Sequence, residues 1–124
     1  MFDPTKPTVQ LLGRWQPWHE GHTELFKRAH AKTGQVCIMI RDMPHSEDNP
    51  FTMALRQRNI SEALREEGFN LDRDYTMMVV PNIVDITYGR NVGYSITQER
   101  LGEEIESISA TQIRQEDLEY LREP

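Results

Sequence analysis

Two histidines three residues apart mark the segment of this chain best suited to chemistry. They close the run Gly13-Arg14-Trp15-Gln16-Pro17-Trp18-His19-Glu20-Gly21-His22, in which Gly13 permits a tight turn after an apolar stretch. His19 and His22 straddle a predicted helix start. A helix N-terminus offers free N–H groups and the positive end of a dipole, so it favours phosphate, and two imidazoles there would add donors. We therefore expect a phosphorylated ligand at this turn.

A His-x-x-His pair is also compatible with two solvated side chains or with two metal ligands. Zinc requires three or four ligands, and the remaining candidates in this chain, His30, His45 and Cys37, have no paired spacing. We therefore assign no residue as a protein metal ligand. Cys37 lies in an apolar run, where a buried, inert thiol is expected.

Apolar stretches predict the β-strands that would position this turn. Nearly continuous apolar runs are typical of parallel strands that are covered on both faces. The predicted strands are Val9–Leu12, Gln35–Ile40, Tyr75–Val80, Ile83–Tyr88 and Tyr94–Thr97.

Three segments have the spacing or the terminal signals of helices. The first runs from Glu20 to Lys32 and is ended by Gly34. The second begins with Asn49 as N-cap and Pro50 as first helical residue, and it ends at Gly68. The third begins at the capping box Ser109-Ala110-Thr111-Gln112 and extends to about Leu121.

Alternating strands and helices predict an α/β fold in one domain, residues 1–124. The expected architecture is Rossmann-like and three-layered, α/β/α, around a mostly parallel five-stranded sheet. In such sheets ligands bind at the carboxyl ends of the strands, beside the topological switch point. The turn from Gly13 to His22 follows the first strand and lies at such a position.

The composition narrows the classes of partner. The 124 residues carry a net charge of −6, which does not favour general binding to nucleic acid or to a membrane surface. One cysteine allows no internal disulfide. The N-terminus has no apolar signal-peptide core, and no apolar run approaches the roughly 18 residues of a membrane span. We therefore expect a cytoplasmic protein.

Three ordered motifs carry a resemblance to a known family. The turn from Gly13 to His22 resembles the His-x-Gly-His signature of the nucleotidyltransferase superfamily, in the longer form of archaeal-type nicotinamide-mononucleotide adenylyltransferases. Asn49-Pro50-Phe51-Thr52 with Arg56 resembles the start of their second helix. Ile108-Ser109-Ala110-Thr111-Gln112-Ile113-Arg114 resembles the late Ile-Ser-x-Thr-x-x-Arg motif. The chain's small size is more like glycerol-3-phosphate cytidylyltransferase, another member.

The resemblance implies a reaction and roles for the motif residues. An acceptor phosphate oxygen attacks the α-phosphorus of a nucleoside triphosphate, and pyrophosphate leaves. His19 and His22 are implied to bind the phosphates and stabilise the developing charge, while Gly21 lets the backbone approach the nucleotide. Arg114, one helical turn beyond Thr111, can reach the same anion. The implied catalytic residues are His19, His22 and Arg114.

Further residues are implied to contact the two substrates. The predicted nucleotide-binding residues are Gly13, Arg14, Trp15, Gln16, Gly21, Gly89, Arg90, Ile108, Ser109 and Thr111. The predicted acceptor-binding residues are Trp18, Arg41 and Arg56. Arg41 is equally compatible with a solvated charge at the strand end, Arg14 could simply face water, and a plain turn is the less favoured alternative for Gly89 with Arg90. Mg²⁺ is expected as a cofactor, held mainly by the oxygens of the triphosphate.

The sequence leaves the substrates open. The small size, and a loop at 89–94 that departs from both kinds of relative, slightly favour transfer of CMP from CTP to a small phosphate or phosphonate acceptor. The residues of the first motif, Gly13 to His22, favour the alternative, an adenylyltransferase that uses ATP. A nucleotide-binding module without catalysis is a third hypothesis, and a homodimer is compatible with the family because many relatives dimerise.

Overall fold

A computed structural model describes residues 1–90 and 93–99. Three strands and two helices alternate: β1 (Val9–Gly13), α1 (Glu20–Thr33), β2 (Val36–Arg41), α2 (Met53–Glu66) and β3 (Tyr75–Val80). The strands form a parallel sheet in the order β1-β2-β3. The predicted parallel α/β class is confirmed.

Alternating side chains of the sheet pack under the helices. In β2, Val36, Ile38 and Ile40 are fully buried, whereas the residues between them are only partly covered. Their partners across the core are Phe26 of α1 and Ile60 of α2, each 0 % exposed. Both described helices therefore cover the same face of the sheet. The helix predicted at 109–121, which would supply the third layer, lies outside the described residues.

The boundaries of α1 follow the sequence signals. Gly34 ends the helix in the left-handed conformation, with φ 79°, and its N–H bonds to the carbonyl of His30. Glycine adopts this backbone conformation without the steric cost that a Cβ brings. The predicted end of α1 is thus confirmed to within one residue.

The predicted start of α2 is wrong by three residues. Thr52, and not Asn49, is the N-cap, and its hydroxyl accepts the backbone N–H of Leu55 at 3.2 Å. Asn49 is buried in the preceding loop, where its side chain bonds to Ser46 and accepts from Arg14. The Asn49 side chain is thus used within the loop and in the contact with Arg14, and Thr52 provides the cap. The helix also ends before Gly68, at Glu66.

The segments predicted as fourth and fifth strands form no strand in this structure. Residues 83–88 and 94–97 pair with none of the described strands. Their apolar side chains stay largely in solvent, with Val84 83 % and Ile96 64 % exposed. Hydrophobic alternation produces a strand only where a neighbouring backbone is available for pairing. Within residues 1–90 and 93–99, no helix has the length and apolar character needed to cross a bilayer.

Candidate phosphate-binding site at the N-terminus of the first helix

The two motif histidines form the N-terminal cap of α1. His19 is the N-cap residue, and its Nδ1 accepts the backbone N–H of Gly21 at 3.0 Å. His22 reaches back in turn, so that its Nδ1 accepts the backbone N–H of His19 at 3.1 Å. Together they make a capping box built from two imidazoles instead of the usual hydroxyl and carboxylate. With Nδ1 accepting, the hydrogen of each neutral ring belongs on Nε2, as a donor.

The two imidazoles stack and are both held in the neutral form. Their ring centroids lie 3.7 Å apart at an interplanar angle of 22°. Burial, together with a smaller contribution from the neighbouring His19, lowers the pKa of His22 to about 3. Burial also lowers the pKa of His19, against the opposing effect of Glu20. Near neutral pH the helix therefore begins with two uncharged imidazoles.

Two buried tryptophans surround His22; we call Trp15 and Trp18 the indole pair. Their own ring centroids are 4.9 Å apart, and they lie 4.8 and 5.5 Å from the centroid of His22. Each indole N–H is used within the protein: Trp15 donates to the carbonyl of Met39 at 3.0 Å, and Trp18 donates to the hydroxyl of Thr23 at 2.8 Å. The indole pair is thus part of the scaffold around His22.

The loop between β1 and α1 is fixed at several further points. Gln16 is buried, and its side-chain amide bonds to Phe51 in both directions, accepting the N–H at 3.0 Å and donating to the carbonyl at 3.3 Å. The Gln16–Pro17 peptide is cis, and Trp15 has a φ of 54°, which is uncommon for a bulky residue. A Cβ on Gly13 would lie 2.8 Å from the Trp15 ring. The loop therefore accepts little change of side chain.

Arg56 of α2 connects the ends of the first two strands. Its Nη1 donates to the carbonyls of Arg14 and Arg41, both at 2.9 Å, and the residue is only 2 % exposed. Its Nε is buried and has no hydrogen-bond partner in the described part of the chain. Burial lowers the pKa of the guanidinium, with Asp42 opposing this. Arg56 thus fixes the backbone positions of Arg14 and Arg41.

Arg14 and Arg41 lie at the carboxyl ends of β1 and β2. Arg14 donates to the side chain of Asn49 at 3.3 Å, and Arg41 donates to that of Asn82 at 2.8 Å. Both side chains are partly exposed. The Nε of Arg41 is buried without a hydrogen-bond partner among residues 1–90 and 93–99. Both cations therefore lie at the edge of the sheet where α/β proteins bind ligands.

The predicted site residues are brought together in part. The structure assembles Gly13–His22, Arg41 and Arg56 at one edge of the sheet, by the contacts given above. Gly89 and Arg90 are exposed on the chain beyond β3, and Ile108, Ser109, Thr111 and Arg114 lie outside the described residues. Thr23, the partner of Trp18, was not predicted, and Asn49 was predicted only as a cap and as a residue of the second motif. The bond from Arg14 to Asn49 joins residues 35 apart, so no local pattern marks it.

A cleft of about 320 Å³ lies beside the cap, between α1 and α2. Trp18 and His19 border it, but four carboxylates also line it: Glu20, Glu24, Glu66 and Glu67. One lysine, Lys27, is present, and it is paired with Glu67 at 2.9 Å. This acidic lining opposes the binding of a triphosphate, so the strand-end side of the cap is the better phosphate site.

The donors at the cap suit an anion better than a cation. His19, His22, Arg14 and Arg41 supply N–H groups at the edge of the sheet. Among the residues that the structure describes, no three His, Cys, Asp or Glu side chains lie together so that they could hold a metal ion.

Comparison with known proteins agrees with this geometry. The cytidylyltransferase-like family model matches residues 11–102, most of the chain. Nicotinamide-nucleotide adenylyltransferase of Methanococcus maripaludis is 31 % identical over 85 residues, which are 62 % of this chain and 50 % of that protein.

Other relatives carry the same name. The enzyme of Thermoplasma acidophilum is 37 % identical over 73 residues, 57 % of this chain and 38 % of that protein. The enzyme of Picrophilus torridus is 40 % identical over 60 residues, 47 % of this chain and 36 % of that protein. The chain thus spans half or less of the length of these relatives. Because the family model covers most of the chain, from within β1 through the cap, both helices and β3, the chain belongs to the cytidylyltransferase-like family of nucleotidyltransferases.

Proposed function

We propose that this protein transfers AMP from ATP to a phosphate-bearing acceptor of the nicotinamide-mononucleotide kind, with release of pyrophosphate. The observation that carries the proposal is the double imidazole cap of α1. It places two Nε2 donors on a helix N-terminus, beside arginines at the ends of β1 and β2. Such an arrangement is suited to a phosphate group.

The relatives favour ATP over CTP. Those described above are all named nicotinamide-nucleotide adenylyltransferases. The expectation of CMP transfer relied on the short chain and on the departure of the loop at 89–94. The chain spans only part of these relatives, so its length says little about the substrate, and the loop alone does not outweigh the names of the relatives. We therefore replace the preference for CTP with the adenylyltransferase alternative.

The proposed chemistry depends on positioning and on charge stabilisation. An oxygen of the acceptor phosphate attacks the α-phosphorus of ATP, the bond to the β-phosphate oxygen breaks, and pyrophosphate departs. His19 and His22 donate to phosphate oxygens as negative charge develops, and Arg14 and Arg41 neutralise charge at the strand ends. Mg²⁺, bound through the triphosphate, would offset charge on the leaving pyrophosphate.

The remaining predicted contacts complete the proposal. Ser109, Thr111 and Arg114 would hold the β- and γ-phosphates, with Ile108 beside them, and Gly89 with Arg90 would contact the base or ribose. Arg56 Nη1, the Gln16 amide and both indole N–H groups are bonded inside the protein, so we propose that these residues support the site without touching the substrates.

Pyrophosphate release tests the proposal. ATP and CTP would each be offered with nicotinamide mononucleotide, glycerol 3-phosphate and a small phosphonate. We expect release with ATP and the mononucleotide, and a loss of at least about 10²-fold in His22→Asn, the scale for removing one charge-stabilising donor. His30→Gln, an imidazole removed from the last turn of the same helix, is the matched control and should retain activity.

Each other outcome contradicts part of the proposal. Release with CTP alone would reinstate the cytidylyltransferase hypothesis. Nucleotide binding without pyrophosphate release from any acceptor would favour a non-catalytic module. Full activity in His22→Asn would contradict the assigned mechanism, in which His22 donates to a phosphate oxygen.

A further inference from the structure

The indole pair stands out among the buried residues because nothing in the proposed reaction requires it. Trp15 and Trp18 are 5 % and 6 % exposed, so little of either ring is open to a substrate. Both indole N–H groups are bonded inside the protein, to Met39 and Thr23. Direct contact with the nucleotide or the acceptor is therefore a poor account of these residues, although the sequence predicted it.

Both rings of the indole pair, together with His19, enclose the His22 imidazole. Trp15 meets it edge to face at an interplanar angle of 84°, Trp18 lies against it at 53°, and His19 stacks on it at 22°. The Nδ1 atom of His22 is fixed by the His19 backbone. A rotation of the imidazole would break that hydrogen bond and collide with a ring. His22 therefore has one orientation, with its remaining N–H at Nε2.

The hydrogen bonds of the indole pair connect the orientation of the His22 imidazole to the rest of the fold. Trp15 is bonded to a carbonyl of β2, and its ring rests on Gly13 at the end of β1. Trp18 is bonded to Thr23 in the first turn of α1. The position of His22 is thus set jointly by the two strand ends and by the helix it begins.

We propose that Trp15 and Trp18 are positioning residues, which hold the His22 imidazole in a single orientation so that its Nε2–H meets a phosphate oxygen of the bound nucleotide. This inference rests on the proposed function and extends it by assigning a role to both indoles. The geometry of a donor matters because a misplacement of about 1 Å can cost about 10²-fold in rate.

Removing one indole ring at a time tests this role. In Trp15→Leu and Trp18→Leu, water reaches the imidazole, so the pKa of His22 should rise from about 3 into the range of about 5 to 6.5. Titration of the His22 ring resonances by NMR measures it. We also expect kcat/KM to fall by about tenfold or more.

The matched control is Phe69→Leu. Phe69 packs against another imidazole of α1, that of His30, with ring centroids 4.9 Å apart. This substitution removes the same kind of aromatic packing from the opposite end of the helix. It should lower the melting temperature while the pKa of His22 and kcat/KM stay unchanged.

Three further variants keep the test decisive where a leucine variant does not fold. Trp15→Phe and Trp18→Phe retain a ring beside His22 and should recover most of kcat/KM. Gly13→Ala keeps both indoles but introduces a Cβ 2.8 Å from the Trp15 ring, which must move. It should therefore raise the pKa of His22 in the same direction as Trp15→Leu.

The outcomes separate this inference from the proposed function. If the indole variants only lower the melting temperature, as Phe69→Leu does, and leave the pKa of His22 unchanged, the inference is overturned. An inactive wild-type protein whose His22 pKa nevertheless rises in these variants would sink the proposed function, while positioning of the imidazole would stand.

Discussion

At the scale of single residues, the two ring nitrogens of each motif histidine have different tasks. The Nδ1 atoms of His19 and His22 satisfy backbone N–H groups that every helix leaves free at its start. This leaves Nε2 as the donor for a ligand. The histidines are therefore structural and chemical at once, and a substitution must be chosen so that it separates the two tasks.

The variants His19→Asn and His19→Ala separate helix capping by Nδ1 from ligand binding by Nε2. Asparagine is a favourable N-cap, whereas alanine leaves the Gly21 N–H without its acceptor, so only His19→Ala should lose about 1 kcal/mol of stability. Both variants lack Nε2, and both should lose about 10²-fold in adenylyl transfer. Urea unfolding and the pyrophosphate assay measure the two effects. Activity that followed stability across the two variants would mean that His19 is only a cap.

At the scale of secondary structure, the sequence predicted the buried parts well. Gln35–Ile40 and Tyr75–Val80 agree with the structure to within one residue, because nearly continuous apolar runs carry their own signal. Glu20–Lys32 also agrees, since Gly34 marks its end. The role of Asn49 was not predictable, because its contact with Arg14 joins residues 35 apart in sequence. Local patterns do not report such contacts.

The role of Arg56 is an example that only the structure could suggest. Its resemblance to a family motif implied contact with the acceptor, yet its Nη1 holds carbonyls at the ends of β1 and β2. Arg56→Met should leave both carbonyls without this donor and cost about 1–3 kcal/mol for each one left unsatisfied.

The kinetics of this variant distinguish a structural Arg56 from a substrate contact. If Arg56 supports both strand ends, Arg56→Met should raise KM for ATP and for the acceptor together, in steady-state assays that vary each in turn. Arg58→Met, an exposed arginine on the same helix, serves as the control and should change neither. A rise in KM for the acceptor alone would contradict the supporting role and would indicate that Arg56 contacts the acceptor directly.

At the scale of the whole molecule, parallel topology explains how distant segments reach one site. The carboxyl ends of β1 and β2 meet at one edge, so Arg41 lies near a turn that is more than twenty residues earlier in sequence. The sequence predicted this convergence from the order of strands and helices alone. It also predicted a second group of phosphate ligands, Ser109, Thr111 and Arg114, which lie outside the described residues, so their meeting with the histidines stays a prediction.

A double-mutant cycle on His22 and Arg114 tests whether the first and the late motif bind the same triphosphate. The variants are His22→Asn, Arg114→Gln and the two combined, and kcat/KM is measured for each. Groups that bind the same anion are coupled, so the double variant should lose less than the product of the single losses, by a coupling of about 0.5–3 kcal/mol. At the midpoint of that range, the loss of kcat/KM in the double variant is about 20-fold smaller than the product of the two single losses, a difference well above assay error.

The same cycle with His30→Gln in place of His22→Asn provides the baseline. His30 lies at the far end of α1, bonded to Asp74 at 3.0 Å, so its effect should combine with that of Arg114→Gln without coupling. If His22 and Arg114 were also independent, the late motif would not share the phosphate site of the helix cap. The molecule would then bind nucleotide through the first motif alone, since the convergence of both motifs on the triphosphate requires their effects to interact.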